Sequence, residues 1–260
     1  MWESLPIQTS PGPLYTMIDR EFVYPVSESV RISRWKDVPE NIQVWATSIW
    51  NDVFHAQRNF MGDNDLLIWI PRVSTLVAKH GKWIGDDKSF YSVFVTCNYV
   101  DADFRGQGIS SQMILSMANE ATKIWGPTPF LFEVHNVPRG LVSIQPFLRF
   151  TYVWIPFIQI QNPPRWTPCD LSAITEKGYP GFYADHMEGY RAFSYDGQMI
   201  LLDPLNDIVY YTDALVLPTF DALPLPGTWC RFFCPWGNTR VFLHNMYFSP
   251  PPSMKHYLLT

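Results

Sequence analysis

Six consecutive residues, Arg105-Gly106-Gln107-Gly108-Ile109-Ser110, carry the strongest chemical signal in the chain. They join an apolar run over residues 89–100 to a stretch with apolar side chains at Ile109, Met113, Ile114, Met117, Ala121 and Ile124. The first run is apolar on both faces, as a central strand is. The second has the spacing of a helix face and stops at Gly126-Pro127. The opening N–H groups of such a helix lack intrahelical partners and carry partial positive charge, so they suit a pyrophosphate. Two glycines let the backbone approach a ligand closely, and Arg105 adds a charge-assisted contact or ties down the loop. The segment is not a P-loop, because the Gly-Lys-Ser/Thr ending is missing, and it lacks the third glycine of the dinucleotide fingerprint. A bare Gly-x-Gly also fits an ordinary strand-to-helix turn. Asp101 and Asp103 are read as residues that set the turn ahead of it.

The elements that must position this loop follow from the hydrophobic pattern. Residues 30–35 alternate as a strand does. Asp37, with Glu40 three residues on, resembles a capping box ahead of an apolar stripe at Val38, Ile42, Trp45, Ile49 and Val53, so a helix is expected to about Arg58. Residues 66–70 and 73–78 read as short strands, His80-Gly81-Lys82 as a turn, residues 130–135 as a strand and residues 141–148 as a short helix. Beyond Asn162-Pro163-Pro164-Arg165, the expected domain boundary, strand signals dominate: 191–195, 198–202, 208–214, 231–233 and 241–244, with Asp196-Gly197 as a hairpin turn.

Composition bounds the class. Of 260 residues, 47% are apolar, 16% aromatic and 17% charged, which excludes disorder for most of the chain. A net charge of −5 argues against a broad nucleic-acid footprint. Cys97, Cys169, Cys230 and Cys234 lack the density of a disulfide scaffold and are read as reduced thiols. Cys230 and Cys234 have no second pair at finger-like spacing, so no metal site is expected. The opening Met-Trp-Glu-Ser-Leu-Pro has no signal-peptide pattern, and the greasiest stretch, residues 147–160, is broken by Arg149 and Pro156. The expectation is a cytoplasmic protein without a membrane span.

The run from Tyr99 to Ser110 resembles motif A of the GNAT superfamily of N-acyltransferases. There a strand ending in Val and acidic turn residues leads into Arg/Gln-x-x-Gly-x-Gly/Ala at the start of a long helix. Here the pattern is Arg105-x-x-Gly108-x-Ser110, with a small Ser in the last place. Val134-His135-Asn136 resembles the Val-x-Asn that ends the family's next strand. The resemblance covers residues 30–160. It implies an α/β (α+β) fold: a mixed, mostly antiparallel sheet flanked by helices, with an acyl-CoA-binding domain over residues 1–161. Residues 162–260 would form a β-rich C-terminal domain, a degenerate second copy of the fold or an acceptor lid.

The resemblance also implies a site. Backbone groups near Tyr99 and Val100 would pair with pantetheine. Arg105, Gly106, Gln107, Gly108, Ile109 and Ser110 would hold the pyrophosphate, with Asn136 beside them. The co-substrate would be acetyl-CoA by default, or a longer acyl-CoA, and the acceptor an amine on a small molecule or a protein. Glu133 would take the amine proton, with His135 on the same strand face. The family often protonates the departing thiolate with a Tyr. Here that position falls near Ser143, or at Gln145 if the loop is longer, and no Tyr occurs before Tyr152, so Ser143 would be the replacement donor. The function expected is therefore acyl transfer by direct attack. The alternative is an inactive protein of the same fold that binds CoA or a protein partner.

Overall fold

Apolar side chains at successive positions of residues 66–69 and 76–78 give a sheet two greasy faces, and one helix covers each face. The computed structural model describes residues 16–17, 24, 26–54, 61–84, 89–134, 148–156, 167–173, 181–187, 190–195, 198–202, 208–211, 229–244, 246–247 and 257–259. The elements in order are β1 (Thr16–Met17), β2 (Arg31–Arg34), α1 (Glu40–Phe54), β3 (Leu66–Ile70), β4 (Ser74–Ile84), β5 (Ser89–Val100), α2 (Ile109–Trp125), β6 (Phe130–Val134) and β7 (Leu148–Pro156). They continue as β8 (Thr167–Cys169), β9 (Gly181–Ala184), β10 (Arg191–Tyr195), β11 (Gln198–Leu202), β12 (Ile208–Tyr211), β13 (Trp229–His244), β14 (Met246–Tyr247) and β15 (Tyr257–Leu259).

Among the described residues, thirteen strands form one sheet whose main path runs β15-β9-β4-β5-β6-β13-β12-β11-β10-β8. β3 and β2 extend from β4, and β7 lies along β13. The β5–β6, β12–β13 and β15–β9 pairs are parallel and the rest antiparallel, so the sheet is mixed and mostly antiparallel, as expected. Strands from both sides of residue 162 share it: β9 pairs with the second half of β4, and β13 pairs with β6.

Leu66, Ile68, Leu76, Ala78, Val93, Val95, Phe130 and Phe132 face α2, which packs Met113, Ile114, Met117, Ala118 and Ala121 against them. Leu67, Trp69 and Val77 face α1 with Ala46 and Trp50. Trp50 also donates its indole N–H to the Thr75 hydroxyl at 3.1 Å. Asn119, buried in the middle of α2, clamps the backbone of Tyr24, accepting from its N–H at 2.8 Å and donating to its carbonyl at 2.6 Å.

β5, β10 and β11 lie where the pattern puts them, α2 starts at Ile109 and ends before Gly126, and Tyr195 opposite Gln198 bears out the hairpin pairing. Three expectations are corrected. α1 begins at Glu40, not behind Asp37, which closes a 3-10 turn over Trp35–Asp37. Pro39 forces the preceding Val38 into an extended conformation, φ −75° and ψ 133°, which no helix residue adopts. The Pro39 carbonyl then accepts the first helical bonds, from Ile42 and Gln43. His80-Gly81-Lys82 is not a turn but the middle of β4. Gly81 is required there because a Cβ would sit 2.3 Å from the Tyr183 carbonyl of β9. The two short strands expected over residues 231–244 are one strand, β13, whose pairing with β7 shifts register between Cys234 and Thr239. The expected helix over residues 141–148 lies outside the described residues, apart from Leu148, which opens β7.

Candidate functional site

The site begins with a parted pair of strands. β5 and β6 pair in parallel only over Val93–Val95 and Phe130–Phe132. Among the described residues, β5 then runs on to Val100 without β6 paired to it. Between Thr96 and Tyr99 it advances three residues while β4 advances two, from Val77 to Thr75. That is a bulge of one extra residue, which bends a strand and increases its twist. Cys97 sits in it with φ 50°, in the left-handed region rare for a side-chain-bearing residue. The extra residue also reverses which side chain faces which layer. Val93 and Val95 face α2, yet Cys97 packs in the α1 layer.

The parted side of β5 is lined by its own backbone. Asp101 donates its N–H to the Val73 carbonyl at 2.8 Å, so Val73 and Asp101 form a hydrogen-bonded pair. By the alternation of an antiparallel ladder, the N–H and C=O of the preceding Val100 point away from β4, into the gap. The Val100 carbonyl accepts from Arg105 Nε at 3.0 Å, so Arg105 ties the loop to the strand end. The Asp101 carboxylate accepts from the Asp103 N–H at 3.1 Å and from the Tyr99 hydroxyl at 3.3 Å. Asp101 thus sets the turn, as its position suggested. Partial desolvation and the Asp101 carboxylate together raise the Tyr99 phenol above its usual range.

Beyond the turn, Gly106 has φ 79° and Gly108 φ 74°, values glycine adopts without steric cost. Gly108 is the N-cap of α2 and offers no side chain to its N–H groups, and the first turn holds no acidic residue. The first helical bond runs from the Gln112 N–H to the Gly108 carbonyl at 3.1 Å. The N–H groups of Ile109, Ser110 and Ser111 therefore have no partner within the helix. Residues 102–108 are exposed and Ile109 and Ser110 half-buried. A Cβ built on Gly106 or Gly108 would meet no atom within 4 Å. The result is an open, positively polarised cradle. The structure thus gathers Tyr99, Val100, Arg105, Gly106, Gln107, Gly108, Ile109 and Ser110 at one strand end and one helix start.

Glu133 lies on β6, half-buried, one alternation step beyond Leu131 and opposite Val241 of β13. Cys97 is near enough to feel its charge: burial, with Glu133 adding to it, pushes the Cys97 thiol up to about 12. His135, Asn136 and Ser143 lie outside the described residues. Among the described residues no group of side chains is arranged to hold a metal ion, and no helix is long and apolar enough to cross a membrane.

Sequence reasoning missed two features of this region. Asn98, exposed on β5, donates from Nδ2 to Ser110 Oγ at 2.6 Å and so joins the strand to the first turn of α2. Behind the sheet, Lys79 and Asp65 form an ion pair at 3.4 Å with side chains only 1% and 7% exposed. Burial lowers the Lys79 ammonium and raises the Asp65 carboxyl, and in each case outweighs the partner's charge. Nothing in the sequence distinguishes Asn98 from a solvated strand residue. Lys79, within an apolar run, is the one signal that was available.

The chain has the fold of the acyl-CoA N-acyltransferases, the GNAT fold, by its likeness to solved structures. No protein-family profile matches the chain, and no curated protein matches it in sequence. Solved structures do match it. A crystal structure of Saccharomyces cerevisiae N-myristoyltransferase with bound myristoyl-CoA aligns with a TM-score of 0.62 at 9% identity, over 96% of this chain and 93% of that one. A second, with bound myristoyl-CoA and inhibitors, gives 0.62 at 10% identity over 96% and 90%. A GCN5-related N-acetyltransferase from Kribbella flavida gives 0.43 at 10% identity over 82% and 70%. The likeness to the myristoyltransferase structures extends well past residues 30–160, into the β-rich C-terminal region.

Proposed function

We propose that the chain is an acyl-CoA-dependent N-acyltransferase. The observation that carries this is the parted β5–β6 pair opening onto the amide cradle at the start of α2. The gap offers backbone groups at Val100 to the amides of a pantetheine arm. The cradle at Gly106, Gln107, Gly108, Ile109 and Ser110 offers N–H groups to a pyrophosphate. The donor is an acyl-CoA. Acetyl is the default, and the bound myristoyl-CoA of the structural neighbours makes a long chain the competing length.

The acceptor amine nitrogen attacks the thioester carbonyl carbon, the C–S bond breaks, and the thiolate takes up a proton. A backbone N–H on the parted stretch of β5 near Val100 polarises the carbonyl. Glu133 takes the proton the amine loses, directly or through water. Ser143 or water supplies the thiolate's proton, and Asn136 borders the site. A buried thiol with a pKa raised to about 12 is a poor nucleophile. Cys97 therefore favours direct transfer over an acyl-cysteine intermediate. We place the enzyme in the cytoplasm.

A thermal-shift titration with CoA, acetyl-CoA, myristoyl-CoA and ATP tests the reading. A ligand held by the folded state alone adds about 2.7 kcal/mol at a hundredfold excess over its Kd. The expected result is stabilisation by the CoA species and not by ATP, with the ranking of acetyl and myristoyl giving the chain length. Stabilisation by ATP alone, or by none of them, sinks the reading.

A further inference from the structure

We propose that Asn98 is a donor-binding residue whose carboxamide, anchored by Ser110, reads an amide of the pantetheine arm; this rests on the acyl-CoA reading above. The bulge puts it in place. In an unbroken strand, Cys97 would follow Val93 and Val95 toward α2 and Asn98 would point into the α1 layer. The extra residue sends Cys97 into the α1 layer, and Asn98 takes the α2 side, where Ser110 Oγ meets it at 2.6 Å. Cys97 is buried and Tyr99 and Val100 half-buried, yet Asn98 is exposed in the interior of the sheet's path. Among the described residues, no strand pairs with β5 on this side beyond Val95.

A carboxamide has two N–H donors and an acceptor oxygen. The Ser110 bond uses one donor and fixes the orientation of the group. One N–H and Oδ1 remain on the parted side. A secondary amide, of which pantetheine has two, offers the matching donor and acceptor. Ser110, accepting from Asn98, keeps its own hydroxyl proton for a pyrophosphate oxygen. The pair thus spans the junction between arm and pyrophosphate. It gives a reason for Ser at a position where Gly or Ala would leave the carboxamide unanchored.

The test is calorimetric titration of the full chain with CoA and with 3′-phospho-ADP, which is CoA without the arm. Asn98→Ala should weaken CoA about fivefold, the net worth of one hydrogen bond, and leave the nucleotide's affinity unchanged. Ser110→Ala should weaken both ligands, and Ser110→Thr should restore the nucleotide. Asn98→Leu, of similar size, should repeat the Ala pattern and serves if the smaller side chain impairs folding. Unchanged CoA binding in Asn98→Ala, or equal losses for both ligands, overturns the assignment. Wild-type chain that binds neither ligand overturns the acyl-CoA reading and this inference with it; wild-type binding with an indifferent Asn98→Ala overturns the inference alone.

Discussion

The Lys79–Asp65 pair sets two large terms against each other. At 3.4 Å, with the effective dielectric near 20 that suits protein charges, the attraction is about 5 kcal/mol. Burying two ions costs several kcal/mol for each. Both groups are displaced toward their neutral forms, with burial the largest cause. The pair as a unit therefore adds little or nothing to stability, while removing one partner takes from the other, still buried, the opposite charge 3.4 Å away. Asp65→Asn keeps an acceptor for the Gly62 N–H, which donates to Asp65 Oδ2 at 2.8 Å, so it isolates the loss of charge. Asp65→Asn and Lys79→Met should each cost about 3 kcal/mol. The double variant should cost no more than either single change, well below the sum of about 6 kcal/mol, which is a coupling of at least about 3 kcal/mol.

Urea denaturation of the four proteins at neutral pH, compared at equal slope, measures this cycle. The coupling should change little with added salt, because the pair is out of solvent. Costs that add within about 0.5 kcal/mol, or a coupling that fades in salt, would refute the reasoning. The pair would then be a solvated contact.

Other outcomes follow from the same geometry. Gly108→Trp should abolish CoA binding while leaving most of the stability, because its Cβ meets no atom within 4 Å and the cost is the strain of φ 74° in a side-chain-bearing residue, about 1–2 kcal/mol; thermal melting and CoA titration separate the two. Cys97, pushed up to about 12 by burial, should resist iodoacetamide at pH 8.5 until the chain is unfolded. Because its unfolded value is near 9, the unfolded state ionises first and stability should fall as pH rises above that value. His244 is fully buried and its pKa is lowered from 6.5 to about 3. The unfolded state binds the extra proton across that window, so up to about 5 kcal/mol should be lost as pH falls through it. His244→Phe should flatten that part of the stability–pH curve.

The parts of the fold legible in the sequence are those decided within one segment. β5 and α2 announce themselves by an unbroken apolar run and a helical spacing, and the glycine loop between them needs no partner strand to be recognised. Elements settled by a distant partner are another matter. Gly81 reads as a turn until β9 is laid against β4, when it becomes the only residue type that leaves room for the Tyr183 carbonyl. The β-rich region hides for the same reason, since one long strand with a register shift and two short ones have nearly the same local pattern.

The candidate site divides along the same line. Its phosphate cradle is local and carries a motif. Its opening depends on β5 gaining one residue against β4 and losing β6 after Val95, and neither event leaves a mark in residues 93–100. A period-two reading of that run assigns Cys97 and Asn98 to the wrong layers. The bulge exchanges them, hiding a thiol from solvent and offering a carboxamide to the gap. If the extra residue is what opens the site, straightening β5 by deleting Cys97 should close the gap and remove CoA binding even where the sheet still forms, while Asn98, then directly after Thr96, keeps to the α2 side. A deletion variant that folds and still binds CoA would show that the parted strands do not depend on the bulge.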